Sequence, residues 1–275
     1  MNVVWAALAV AATTALAVTA MLLVRRRAPD GSYFADGDRA AGVFGVLATG
    51  FSVLLGFLVF LGFESYDQSR TGAETEAVVL AQQVETAQLF PRPASDELIG
   101  ELVCYGRSVV HSEWPRSEAG TQGDNVNPWG TELFRTLTTV ETRTPAQEAA
   151  YGKWLDQRFE RDAARIDRIH GAAGVIPTPL WVVLFFISFV IFVFMLFFAD
   201  SGEGAVTQGV LMGAVASVMA AMLLLIHFLD SPFHSGVGGL RPVAMERALR
   251  IIDQELLTES RGRALPCDAE GNPAS

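Results

Sequence analysis

Four stretches of the chain, 3–24, 41–63, 180–199 and 205–229, contain no Asp, Glu, Lys or Arg. Each runs to about 20 residues or more, enough at ~1.5 Å per residue to cross a ~30 Å hydrocarbon core. A backbone in lipid has to satisfy its own hydrogen bonds, so each stretch is predicted to be a helix. The linkers 25–40 and 200–204 are short, which makes each pair of spans an antiparallel hairpin. The expected class is all-α: an integral membrane protein with four transmembrane helices in two hairpins and an inserted helical aqueous domain. The expected divisions are a first hairpin over 1–63, the aqueous domain over 64–179, a second hairpin over 180–229, an interfacial turn and amphipathic helix over 230–259, and a disordered tail over 260–275.

Polar and apolar positions in the block alternate with helical period. No proline interrupts the chain between Phe63 and Pro91, so the second span is predicted to continue as one long helix. Ser95, followed by Asp96 and Glu97, reads as an N-cap. Asn127–Pro128 reads as N-cap and first helical residue. Thr144-Pro145-Ala146-Gln147 has the spacing of a capping box and opens a helix that runs to His170. Pro242 is expected to open the last helix, and the Gly/Pro content beyond Ser260 suggests disorder.

The faces of the spans differ. Gly209, Gly213, Ser217 and Ala221 form a small-residue stripe on the fourth, a pattern that lets another helix backbone come close. The second span carries Gly45, Thr49, Ser52 and Gly56 along one face. Its small and hydroxyl side chains suit plain helix packing, or a pore lined by Thr49, Ser52, Gly56 and Val59 in an oligomer, since four spans alone enclose little. The third span, rich in phenylalanine, reads as facing lipid or wedged between subunits.

Charge and motifs narrow the function. The formal net charge is −10, and no basic patch of the size nucleic acid requires is present. Ionisable residues mark most proton-coupled carriers, and the span interiors have none. No HExxH, GxSxG or GxxxxGK[ST] occurs, and the His111-Ser112-Glu113 triplet lacks a following PCxxC. His227, Asp230 and His234 do not share a helix face, because Pro232 intervenes. No catalytic residue, metal site or cofactor is therefore expected. Cys104 and Cys267 have no metal-type spacing and read as two separate thiols, with a disulfide open to them outside the cytoplasm. Lys153 is the only lysine among 20 basic residues, a usage typical of G+C-rich bacteria, so the multi-pass location expected is the bacterial plasma membrane.

Three stretches together resemble a bacterial family of bestrophin-like proteins with a domain of unknown function. They are Leu55–Gln82 with its Tyr66, Asp67 and Arg70 step, Arg165–Trp181 with a Gly-rich break and a proline before the tryptophan, and the turn holding Asp230, Pro232, Phe233, Gly236 and Pro242. The resemblance implies a homo-oligomeric anion channel whose second span forms a neck, with Leu55, Val59 and Phe63 as further pore-lining candidates. Packing of the two hairpins would set the Tyr66, Asp67 and Arg70 end of the second span beside the turn at Asp230, and that neighbourhood is expected to form a mouth where His234 and Arg241 meet an ion. No counterpart of the acidic calcium clasp of animal bestrophins is present. The partners expected are the lipid bilayer, further copies of the chain and an inorganic anion. The alternative is a non-conducting sensor or scaffold whose helical domain binds a protein.

The side of the membrane is contested within the sequence. Short loops weigh most in the positive-inside rule. Arg25, Arg26, Arg27 and Arg39 draw the first linker into the cytoplasm and put the block outside. Bestrophins hold the corresponding block inside, and Arg161, Arg165, Arg168, Arg241 and Arg247 lie on the block's side. The short linker tips the reading outward.

Overall fold

A computed structural model describes residues 3–121, 127–258 and 265–274. Among them no strand forms, and nine α-helices follow in order: α1 (Val3–Arg25), α2 (Gly37–Ala87), α3 (Ala94–Ser108), α4 (Trp114–Glu118), α5 (Pro128–Thr138), α6 (Pro145–His170), α7 (Thr178–Phe197), α8 (Ala205–Asp230) and α9 (Val243–Thr258). A π-helical turn, Val109–Glu113, joins α3 to α4. Four of the helices, α1, α2, α7 and α8, are long and apolar enough to span a membrane. The chain is thus an all-helical membrane protein, and it divides into two compact units.

The first unit holds residues 1–65 and 174–230 with 236–238, and so contains the four apolar helices. Helix α8 lies against α1 where its small residues allow it. A Cβ on Gly213 would stand 3.3 Å from Val18 Cγ2 and 3.5 Å from Thr14 Cγ2, and one on Gly209 would stand 3.5 Å from Val18 Cγ1. Ser217 is half-buried and Ala221 exposed, so only the first half of the expected stripe meets a helix. Ala17 and Met21 pack there with Met212 and Ala216. Helix α2 packs through Phe51, Leu55 and Leu58 on Leu184 and Ile191 of α7 and Ile226 of α8. At the far end of α7, Phe34 stacks on Phe194 with ring centroids 5.4 Å apart, and Phe44 stacks on the same ring at 5.6 Å. Phe185, Phe186 and Phe189 remain exposed.

The second unit holds residues 66–173, 231–235 and 239–275. Its centre is α3, where Leu98, Ile99, Leu102, Val103 and Cys104 are fully buried. Around them lie Leu80 and Val84 of α2, Leu133 and Leu137 of α5, Trp154 of α6, and Met245 and Ile252 of α9. Side-chain caps set two of the helix starts in this unit. Asn127 Oδ1 accepts from Trp129 N at 3.1 Å, and Thr144 Oγ1 accepts from Gln147 N at 3.2 Å. Helix α3 starts at Ala94, with Pro93 in the cap position and no side-chain cap bond. Ser95 therefore lies inside the first turn, buried, and does not cap it.

Two expectations are corrected in this unit. Cys104 and Cys267 do not stand apart as thiols; they form a disulfide with Cα atoms 5.8 Å apart. The tail is ordered where it is described. Residues 265–274 fold across α3, because Trp129 Nε1 donates to the Gly271 carbonyl at 2.7 Å and Arg107 Nη1 donates to the Asp268 carbonyl at 3.1 Å. The Asp268 carboxylate accepts from Asn272 N at 2.7 Å and from Glu270 N at 3.1 Å, closing the turn. Gly271, with φ +85°, sits so close to α3 that a Cβ would stand 2.9 Å from the Cys104 carbonyl oxygen. Residues 260–264 and 275 of the expected tail lie outside the described residues.

Candidate functional site

The residues expected to line a pore fall mostly on one face of α2. Thr49, Ser52, Gly56 and Phe63 are exposed, and Val59 is half-buried. At about 100° per residue these positions cluster within a narrow arc. Leu55 is rotated out of that arc, 7% exposed, and packs with Leu58 and Leu184 in the core of the first unit. It lines no free face, which corrects that assignment. A Cβ on Gly45, Gly50 or Gly56 would meet nothing within 4 Å. Ser52 Oγ donates to the Ala48 carbonyl at 2.8 Å, so its hydroxyl is satisfied without leaving the helix. Among the described residues, Thr49, Ser52 and Gly56 thus form an exposed, uncharged strip of small and hydroxyl residues, while Val59 packs against the core of the first unit.

The mouth candidates separate. Tyr66, Arg70 and Arg241 come together, with Arg247, around a groove of about 850 Å³ between α2 and α9 of the second unit. Its lining also includes the small residues Ala73, Ala77 and Ala81 of α2 and Ala244 and Ala248 of α9, together with Trp114. Arg70 is paired with Glu74 at 3.1 Å, both side chains more than half exposed. Three guanidinium groups against Glu74 and Glu85 leave the lining basic. Asp67 is exposed on α2 and His234 half-buried in the 231–235 turn, and neither lines the groove.

Asp230 belongs to the first unit and has a different task. It ends α8, and its Oδ1 accepts from Val175 N at 2.7 Å and Ile176 N at 2.9 Å. Gly174, at φ +77°, turns the chain beneath that carboxylate. The aspartate fastens the segment leading into α7, which accounts for its place at a span end.

The densest polar cluster went unread in the sequence. In the second unit Arg168 donates from Nη2 to Glu113 Oε2 at 2.7 Å and to Glu76 Oε1 at 3.3 Å, and its Nε also reaches Glu76. Tyr105 OH donates to Glu76 Oε1 at 2.6 Å. Arg165 Nε and Asn127 Nδ2 complete the shell of Glu113, at 3.2 and 2.8 Å. Arg168 and Glu76 are fully buried. Burial opposes ionisation of Glu113, but Arg168 and Arg165 outweigh it and hold the carboxyl below its ordinary value. Burial, with the Glu76 charge next to it, pushes the Tyr105 phenol well up. The available signal was the stripe Trp154, Gln157, Arg161, Ala164 and Arg168 along α6, a core spacing that carries two arginines.

A second buried acid titrates in an accessible range. Glu101 of α3 is raised from 4.5 to about 7, chiefly by burial, with the Thr136 hydroxyl opposing and Glu97 adding. Thr136 Oγ1 donates to Glu101 Oε1 at 2.8 Å. Between pH 4.5 and about 7 the folded chain holds a proton the unfolded chain has released. The stabilisation is full below the unfolded value and is lost as pH rises through the folded one, by up to about 3 kcal/mol. Melting temperature should fall across that window, and Glu101→Gln should flatten the fall. An unchanged slope in thermal melts of the variant would assign it to other groups.

The sequence matches the bestrophin-like domain over residues 8–245. Among curated proteins none matches. The fold is similar to crystal structures of single-residue variants of a bacterial bestrophin homologue from Klebsiella pneumoniae. One has a TM-score of 0.61 at 14% identity, covering 92% of this chain and 99% of that one. Another has a TM-score of 0.60 at 12% identity, covering 91% and 98%. A further membrane-protein structure aligns with a TM-score of 0.59 at 12% identity, covering 90% and 97%.

Proposed function

The chain belongs to the bestrophin-like family, and from that premise we propose that it assembles as a homo-oligomeric channel passing inorganic anions across the bacterial plasma membrane. The observation that supports this reading is the exposed strip of Thr49, Ser52 and Gly56 on α2. Small and hydroxyl residues at Thr49, Ser52 and Gly56 gain little from lipid, whereas around an axis they line a passage without placing a charge in the membrane. Val59 and Phe63 follow at the same phase further along α2. The basic lining at Arg70, Arg241 and Arg247 favours an anion over a cation in the groove.

Purified protein in liposomes should pass chloride above an empty-liposome control. Gly56→Trp, which fills open space, should abolish the flux with assembly intact. Arg241→Glu should lower the preference for chloride over sodium in reversal-potential measurements. A correctly assembled oligomer without flux would turn the reading to the sensor or scaffold.

A further inference from the structure

We infer that the second unit folds on the non-cytoplasmic side of the membrane, where the Cys104–Cys267 disulfide forms and fastens the tail across α3. The inference stands apart from the channel reading and rests on two independent observations.

The first is the disulfide. The cysteines are 163 residues apart in sequence and are brought within 5.8 Å at their Cα atoms. Cys104 is fully buried and Cys267 is 7% exposed. Their neighbours are structural: Trp129 holds the Gly271 carbonyl, and Pro266 lies 3.1 Å from where a Cβ on Gly100 would stand. A bond serving this staple role persists in oxidising compartments and stays reduced in the cytosol of mesophiles.

The second is the charge on the opposite ends of the spans. Arg25, Arg26, Arg27 and Arg39 flank the linker between α1 and α2. The linker between α7 and α8 docks on it: Arg25 Nε donates to the Glu203 carbonyl at 3.0 Å, Gly31 N donates to Asp200 Oδ1 at 3.0 Å, and Asp30 pairs with Ser201. Both linkers therefore share one side, and the positive-inside rule makes it the cytoplasm. Of the five arginines that argued otherwise, Arg241 and Arg247 are exposed on the groove, and the other three have another explanation. Arg168 and Arg165 neutralise Glu76 and Glu113, and Arg161 donates to Gln83 at 2.9 Å over the Tyr105 ring. They answer a need of the core, so they need no membrane-side reason. The assignment is opposite to the bestrophin arrangement, and it opens the Arg70–Arg241–Arg247 groove to the external medium.

The test uses the full chain in bacterial membranes. Thiols are blocked in intact cells under acid quench, and new thiols are then mass-tagged after reduction. Two tags per chain should be added only after reduction, and in a host lacking its periplasmic thiol oxidase both cysteines should be blocked at the outset. In parallel, alkaline phosphatase fused after Ser275 should be active and a fluorescent protein fused there dark. The fusions are repeated on the Cys104→Ser/Cys267→Ser variant, so that a loss of stability from the missing bond is separated from orientation. Free thiols in wild-type cells, or a fluorescent fusion with inactive phosphatase, would each overturn the inference.

Discussion

Arg168→Met should destabilise the second unit by about 3–5 kcal/mol, because it leaves Glu76 and Glu113 buried without their cation. Both carboxylates are nearly inaccessible, at 0% and 3% exposure, so water cannot replace the guanidinium. Arg165 still reaches Glu113 but not Glu76, and Glu76 keeps only the Tyr105 hydroxyl. The sign follows from asymmetry: forming a buried pair repays its desolvation only in part, whereas removing one partner exposes the full penalty of the other. Glu76→Gln should cost less, since the amide still accepts from Tyr105 and Glu113 still faces Arg168. The double variant Glu76→Leu/Arg168→Met should recover much of the loss. Trp114, Trp129 and Trp154 all lie in this unit, so tryptophan fluorescence reports its melting directly. Equal melting temperatures for wild type and Arg168→Met would mean that the pair contributes nothing net.

The same cluster shows where the sequence could and could not be read. The four spans were legible because lipid imposes one requirement on twenty consecutive residues, and 3–24 or 180–199 satisfies it without reference to any other part of the chain. The caps at Asn127 and Thr144 were legible for a similar reason, each being decided within four residues. The Cys104–Cys267 bond and the tail it holds depend on residues 163 positions apart, and Gly/Pro content at the terminus spoke only for local flexibility. Arg168 was read only as a charge on the block's side of the membrane, and Glu76 was not singled out, because nothing near either one names its partner. Among the site residues, Tyr66, Arg70 and Arg241 line one groove. Leu55 and Asp230 do not, and their places are set by helix phase and by two backbone N–H groups. Motif order carries the family; the direction each side chain takes is settled by packing.

Gly72 is the position where the sequence spoke least and the expected effect is among the largest. It lies one turn before Glu76 on α2, in the plain polar stretch RTGAE. A Cβ there would press on the Arg168 backbone nitrogen and stand 2.7 Å from the Ala164 carbonyl oxygen and 2.9 Å from the Asp167 carbonyl carbon. All three are backbone atoms of α6, so no side chain can swing away. Gly72→Ala must push α2 and α6 apart, and the shift falls directly on the Glu76–Arg168 pair whose bonds depend on that close crossing. Overpacking alone costs about 1–3 kcal/mol, and loosening the ion pair adds to it, so a loss of about 3 kcal/mol or more is expected. Gly152→Ala supplies the contrast. It too lies in a helix of this unit, but nothing stands within 4 Å of its Cβ position, and removing glycine from a helix interior should stabilise by roughly 0.5–1 kcal/mol. Opposite shifts in melting temperature for two glycine-to-alanine changes in one unit would separate close approach from helix propensity. Parallel shifts would mean that the α2–α6 crossing yields to a methyl group, and that the arginine–glutamate pair tolerates the displacement.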